Sequence, residues 1–276
     1  MPAGVLDLLP LAIVASTPLL LAVLGELFVQ RSGIINLGIE GMMLVAALCA
    51  VLAARGSGSV TLGFAGGVAG AALVALLFGL FTTVLKADQI VTGTAINLFS
   101  LGATSFIWRE MQAGPALPRM AVDPVVPLAW VVLPLLLALL LWNTSFGLCL
   151  RAAGENPAAV AASVRWHRAV AVAIEALLAG LAGAYLSLAL SSGFAENMTS
   201  GRGFIALSIV IFGRWQVKGA LAGTAIFGVA VALQYALQAS SYQLPYHLLL
   251  AVPYVVTLLI LCGVAGRVRA PESLGR

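Results

Sequence analysis

Runs of roughly twenty apolar residues follow one another almost without interruption along this chain, and nothing else limits its fold so strongly. That length crosses a hydrocarbon core. In lipid each backbone N–H and C=O must be satisfied within the segment, so long apolar runs span as helices. Charged residues make up only 9% of the 276 residues. A soluble domain carries about a quarter, so this chain lacks the polar atoms to cover a water-facing surface. It reads as an all-α polytopic membrane protein with about nine membrane segments, near 8–28, 33–53, 60–85, 89–107, 125–142, 169–190, 204–217, 219–239 and 245–263. The seventh is too short for a comfortable span and reads as a half-helix or re-entrant element. Such an element is tolerated only where protein or a water-filled cavity covers it.

Loop arginines and lysines set the orientation. With the tail inside, Arg31, Lys86, Arg151, Arg165, Arg168, Arg267, Arg269 and Arg276 fall on the cytoplasmic face, joined by Arg214 and Lys218 if the seventh segment crosses. Only Arg55, Arg109, Arg119 and Arg202 fall outside. The odd number of segments then puts the N-terminus outside and the C-terminus in the cytoplasm. The net charge of +4 is dispersed among these loops and gives no reason to expect nucleic acid. Cys49, Cys149 and Cys262 stand singly, without the spacing of a metal site or a disulfide framework. No basic region precedes the first apolar run, so no cleavable signal is expected. With no internal repeat, and no disordered stretch beyond the last ten residues, residues 1–276 read as one domain.

Gly63 and Gly67, Gly66 and Gly70, Gly219 and Gly223, and Ala179 and Gly183 are small-residue pairs four apart. Such pairs let helix backbones approach closely, and packing within the chain is their expected use. Polar residues inside the membrane say more, because burying them costs free energy unless they find partners or water. Gln89, Gly93, Asn97, Ser100 and Thr104 recur at helical spacing and form one uncharged polar stripe. The stripe suits a passage for a neutral, hydroxyl-rich solute; it suits interhelical hydrogen bonding equally well. Asn36 and Glu40 are four apart and are expected on one helix face, with Gly33, Gly38 and Gly41 favouring a break or bend nearby. Broken helices commonly build transporter sites. Glu26 and Arg31 read as an interfacial pair, and Glu175 as an intramembrane carboxylate with a role in transport or in structure. His167 and His247 are single and read as interfacial.

One polar island, Arg151-Ala-Ala-Gly-Glu-Asn-Pro-Ala-Ala, lies between two apolar runs. Asn156 is a good N-cap and Pro157 fits a first helical turn, which predicts a short helix through Ala158–Val164 that stops near Trp166–Arg168. So short a helix needs bracing, and its exposed position suits docking of another protein. The chain has no nucleotide-binding loop and only two lysines, Lys86 and Lys218. Nothing in it reads as an enzyme.

Three blocks then carry a resemblance: Arg31-Ser-Gly-Ile-Ile-Asn-Leu-Gly-Ile-Glu-Gly-Met-Met-Leu, Ala87-Asp-Gln-Ile-Val-Thr-Gly-Thr-Ala-Ile-Asn-Leu, and Gly147-Leu-Cys-Leu-Arg-Ala-Ala-Gly-Glu-Asn-Pro-Ala-Ala with the later Ser200-Gly-Arg-Gly-Phe-Ile-Ala-Leu. Together they resemble the permease subunits of bacterial ABC importers for simple sugars and nucleosides, a branch related to branched-chain amino-acid permeases. The nucleoside type looks nearest. The resemblance implies a bacterial plasma (inner) membrane permease with a cytoplasmic coupling loop at 143–168 and a short cytoplasmic tail at 264–276. It implies a second permease subunit, a cytoplasmic ATPase that holds ATP and Mg, and an extracytoplasmic substrate-binding lipoprotein, with no cofactor on this chain. The implied ATPase contact is Arg151, Gly154, Glu155, Asn156, Pro157, Ala158 and Ala159, the coupling helix; Ser163-Val164 stand where relatives often carry glycine then isoleucine. The substrate pathway would use Asn36, Glu40, Gln89, Gly93, Asn97, Ser100, Thr104 and Glu175. A simple sugar is the alternative cargo. The rival classes are a proton-driven secondary transporter using Glu175 and Glu40, and a passive channel or scaffold; the island favours the ATP-driven reading.

Overall fold

A computed structural model describes residues 5–111, 125–160, 163–239, 255 and 270–275. The described elements are helical, in the order α1 (Val5–Arg31), α2 (Ile39–Ser57), α3 (Val60–Gly79), α4 (Gln89–Glu110), α5 (Val125–Pro127), α6 (Leu133–Asn143), α7 (Ser145–Glu155), α8 (Val164–Tyr185), α9 (Arg202–Phe212) and α10 (Val217–Ala239). Wider π-helical turns extend α3 through Val84 and α8 through Leu190, and join α5 to α6. Among the described residues, seven helical stretches are long and apolar enough to cross a membrane: Leu9–Arg31, Ile39–Ser57, Val60–Val84, Gln89–Glu110, Val125–Asn143, Val164–Leu190 and Val217–Gln234. The expected short seventh segment is α9, whose 11 residues rise about 17 Å against a core of about 30 Å. The ninth expected segment (245–263), with His247 and Cys262, lies outside the described residues.

Helix α1 is apolar all round and buried along most of its length, as a central helix must be. It packs against α8, α9 and α10, while α2 and α3 form the tightest pair beside it. The glycine pairs explain that closeness. A Cβ on Gly63 or Gly67 would lie 3.1 Å from the carbonyl oxygens of Ala50 and Ala46 on α2, and Gly183 of α8 sits directly on Met43 O. Gly219 and Gly223 pack on Gly213 and Ile209. These faces serve packing within the chain. Outer positions of α3, α4 and α6, among them Leu76, Leu98, Phe99 and Leu135, are exposed and apolar, which suits lipid or a partner subunit.

Three expectations about local structure need correction. Asn36 is not on a helix with Glu40. Gly33 takes the left-handed backbone (φ 91°) that stops α1, residues 34–36 run without helical bonds, and α2 begins only at Ile39. Among the described residues of the island, no α-helix starts at Pro157. The helix precedes it as α7, because Pro157 has no N–H to continue the ladder; a single 3₁₀ turn, Pro157–Val160, follows, and Trp166–Arg168 open α8 instead of ending a helix. Asn156 still serves as a cap, its Oδ1 accepting from Ala158 N (3.2 Å). Lastly, the tail is docked over 270–275, where Ser273 is only 7% exposed.

Hydrogen bonds gather the basic segments at one end of the bundle. Arg31 Nε donates to Trp215 O (2.8 Å), Arg168 Nε to Ser32 O (3.1 Å), and Ser273 N to Gly154 O (2.9 Å). At the far end of α4, Arg109 forks onto both oxygens of Glu196 (2.8 and 2.9 Å). That hydrogen bonding holds the Glu196 carboxyl below the usual carboxylate range.

Candidate functional site: a broken helix, a polar stripe and a capped half-helix

The break between α1 and α2 exposes backbone groups that the α4 stripe satisfies. Gln89 Oε1 accepts from Ile35 N (2.8 Å). Asn97 Nδ2 donates to Leu37 O (2.7 Å), and its Oδ1 accepts from Gly41 N (2.8 Å). Gly93 leaves room for the Leu37–Gly38 backbone, against which a Cβ would collide (2.7 Å to Gly38 N). Ser100 is buried against Gly41, and Thr104 Oγ1 returns to Ser100 O (2.7 Å). A helical stripe and a glycine-rich break are thus complementary. Amide side chains supply the bonds that an interrupted helix cannot make internally.

Glu40, in the first turn of α2, points at the start of α9. Its Oε1 accepts from Gly201 N (2.7 Å) and its Oε2 from Gly203 N (2.5 Å). The first N–H groups of a helix have no internal acceptor and carry the positive end of its dipole, so a carboxylate is a natural cap. Gly201 (φ 79°) is left-handed and turns the incoming chain so that both amides face Glu40. Beside this contact lies a cavity of about 310 Å³ between α2, α4 and α9. Glu40, Thr94, Asn97, Asn197, Gly201 and Phe204 are among its lining residues. Its wall sets two amides and a hydroxyl among Leu44, Leu98, Leu101 and Phe204; Asn97 is bonded to Leu37 O and Gly41 N, Thr94 to Ile90 O, and the one carboxylate to backbone amides.

Glu175 is elsewhere. It is 0% exposed on α8, accepts at Oε2 from Asn36 Nδ2 (2.7 Å), and faces Glu26 of α1, also 0% exposed. Glu26 therefore does not pair with Arg31. Residues five apart on a helix diverge, and Glu26 turns inward, accepting from Gln30 Nε2 (2.9 Å), whose Oε1 accepts from Trp215 Nε1 (2.6 Å). Arg31 instead approaches Glu155 (3.9 Å) and the Trp142 ring (5.4 Å). Of the predicted pathway residues, Asn36, Gln89, Gly93 and Asn97 meet at the break, Glu40 and Asn97 reach the cavity, Ser100 and Thr104 lie buried along the α2–α4 seam, and Glu175 stands behind Asn36. Sequence reasoning missed Gln30, Asn197, Trp215 and Ser273; only proximity in the fold reveals them.

The island presents a different surface. Glu155, Asn156, Ala158 and Ala159 are exposed, while Gly154 is buried against Arg31 O. Arg151 lies over Trp142 (4.2 Å), which fixes α7 to the end of α6. His167 is mostly buried, stacked on Phe146 at 5.4 Å.

A polytopic helical bundle with an interrupted helix, a half-helix and a cavity where they meet has the architecture of a membrane transport protein. More particularly, the chain belongs to the family described as the branched-chain amino acid transport system / permease component, whose model matches residues 9–261. It is 32% identical over 302 residues to the guanosine ABC transporter permease protein NupQ of Bacillus subtilis, covering 97% of this chain and 95% of that one. It is 31% identical over 296 residues to the nucleoside ABC transporter permease protein NupC of Lactococcus lactis, covering 95% and 93%. A Haloferax volcanii permease, TsgC13, to which glucose is provisionally assigned, is 36% identical over 263 residues, covering 86% and 79%. No solved structure matches significantly. The chain is accordingly a multi-pass transport subunit of the cell membrane and not an enzyme.

Proposed function

We propose that this chain is the permease subunit of an ATP-driven importer and forms part of the pathway for a nucleoside. The observation that carries the cargo reading is the cavity at Glu40, Thr94, Asn97 and Asn197, whose polar side chains are uncharged apart from the committed Glu40 and sit among leucines beside Phe204. A nucleoside has hydroxyls, a base edge and a π face for such a wall, and needs no counter-charge. The similarity to guanosine and nucleoside permeases points the same way. A simple sugar, as provisionally assigned to TsgC13, is the second reading; Phe204 favours a solute with a flat aromatic part. Both oxygens of Glu40 are engaged by amides and Glu175 is shut away from the cavity, which leaves a proton-driven carrier without an accessible carboxylate there.

In this reading residues 1–276 are one permease domain of nine segments, with the N-terminus outside and the tail, 264–276, in the cytoplasm. The loop 143–168 carries the contact for a partner ATPase, which holds ATP and Mg. Arg151 and Gly154 anchor the loop; Glu155, Asn156, Pro157, Ala158 and Ala159 present it. A second permease completes the pore, and an extracytoplasmic lipoprotein delivers substrate. Asn36, Gln89, Gly93, Asn97, Ser100 and Thr104 shape the wall, Glu40 fixes α9, and Glu175 supports Asn36. ATP binding closes the ATPase, moves the docked turn, and opens the cavity to the delivering protein; hydrolysis resets it.

Co-expression with the neighbouring genes, purification in mild detergent and an ATPase assay test the function. A co-purifying ATPase and second permease, stimulated by a nucleoside-loaded binding protein and not by a glucose-loaded one, are expected. Purification of the chain alone would overturn the importer reading. A narrower expectation concerns docking. The double variant Glu155→Ala, Asn156→Ala should insert normally yet lose nearly all uptake and release the ATPase on purification. Wild-type uptake by that variant would refute the docking assignment.

A further inference from the structure

The sequence Gly154-Glu155-Asn156-Pro157 ends α7 in a way that deprives two carbonyls of their helical donors. Pro157 has no N–H to return to Ala153 O. The N–H of Ala158, next in line for Gly154 O, turns to Asn156 Oδ1 (3.2 Å). Helix C-termini always leave such carbonyls, and water or a glycine cap usually serves them. Here one residue from the far end of the chain serves both. Ser273 N donates to Gly154 O (2.9 Å), and Ser273 Oγ lies 2.7 Å from Gly154 O and 3.1 Å from Ala153 O.

The same tail segment is tied to the break between α1 and α2. Gly275 N donates to Gly33 O (3.0 Å), and Gly33 lies so close to Ser273 Oγ that no Cβ fits between them. Arg168 of α8 reaches Ser273 Oγ (3.3 Å) with Nη2 while its Nε donates to Ser32 O (3.1 Å). Two residues beyond Gly33, Ile35 N is held by Gln89, and three beyond, Asn36 by Glu175. A continuous set of hydrogen bonds therefore runs from the end of α7, through the tail, to the segment that backs the cavity.

We propose that the tail 270–275 is a clasp, with Ser273 as a positioning residue, that transmits movement of the 155–160 turn to the broken helix. The proposal rests on the reading of that turn as the ATPase contact. The clasp makes the end of α7 and the Gly33 loop move as one body, so that closure of the ATPase reaches Ile35 and Asn36 and, through Leu37 and Asn97, the cavity. Gly154 also touches Arg31 directly; the bonds from Ser273 and Gly275 hold that contact closed as the turn moves, and without them less of the movement reaches the break.

The test is the complete complex, reconstituted with Ser273→Ala and, separately, with the chain truncated after Ala270. Basal ATP hydrolysis and the amount of co-purified ATPase should match wild type. Stimulation by nucleoside-loaded binding protein, and nucleoside imported per ATP hydrolysed, should fall on the order of fivefold or more. Wild-type import per ATP in the truncated complex would overturn the proposal. Failure of the Ser273→Ala complex to assemble would overturn it too, because the tail would then be a structural brace. The docking reading fails by a different sign: the Glu155→Ala, Asn156→Ala double variant would keep its ATPase and its uptake, whatever the tail does.

Discussion

Glu40→Ala is expected to lower the thermal stability of the detergent-solubilised permease and to abolish nucleoside uptake. The side chain supplies both acceptors for the start of α9, at Gly201 N and Gly203 N. Removing it leaves two helix-terminal donors pointing into a vacated site. An orphaned buried donor costs about 1–3 kcal/mol. Water entering from the cavity can serve Gly201 N, so that loss belongs near the lower end; Gly203 is buried and bears the larger one. The loss of a carboxylate from a helix N-terminus adds roughly 0.3–1 kcal/mol. Set against a whole-protein stability of about 5–15 kcal/mol, the variant should still fold. Yet α9 loses the contact that fixes its position against α2, and with it the shape of the cavity wall at Gly201 and Phe204. Glu40→Gln keeps one acceptor oxygen and turns an amide donor toward the other N–H, so an intermediate effect is expected. Thermal unfolding followed alongside uptake checks the series. An alanine variant as stable and as active as wild type would show that Glu40 does not cap α9.

What the sequence disclosed, and what it could not, divides along one physical line. Local chemistry was legible. Gly33 and Gly38 marked a real interruption, the short run after Arg202 marked a half-helix, and the stripe from Gln89 to Thr104 lies on one face of α4. Periodicity misled only where the helix it assumed was absent, as for Asn36 and Glu40. Partners distant in sequence were not legible. Asn36 and Glu175 stand 139 residues apart, and Ser273 and Gly154 119 apart. The carbonyls left open by Pro157 and Asn156 could be counted from the sequence, but nothing in Pro271-Glu-Ser-Leu-Gly marks Ser273 as the group that fills them. Glu26 was assigned to Arg31 because a cation was the nearest available partner; in the fold it meets another acid.

That acid pair gives the second large effect: Glu175→Ala should damage the protein far more than Glu175→Gln. Glu26 and Glu175 are each 0% exposed, and among the described residues Glu26 Oε2 and Glu175 Oε1 make no hydrogen bond to any other group. The hydrogen bonds they do make come from Gln30 and Asn36, both uncharged. No cation among the described residues faces them, and two neighbouring buried carboxyl groups are best accommodated when they share one proton. Glutamine can replace the protonated member. Its amide N–H reaches toward Glu26 while its oxygen still accepts from Asn36 Nδ2, and the Gly38 N to Asn36 Oδ1 contact (2.9 Å) stays in register. Alanine removes donor and acceptor together. It leaves the Asn36 amide without its acceptor inside the bundle, at about 1–3 kcal/mol for an orphaned buried donor, and opens a gap where the side chain stood. The alanine variant should therefore unfold at markedly lower temperature and accumulate poorly, while the glutamine variant should import nucleoside near the wild-type rate and resist a proton ionophore in vesicles supplied with ATP. The two variants also separate the energy sources, because a carrier that moved protons through Glu175 would lose uptake in the glutamine variant while keeping its stability. A stable but inactive Glu175→Gln protein would thus make this carboxyl a working proton site and not a structural one.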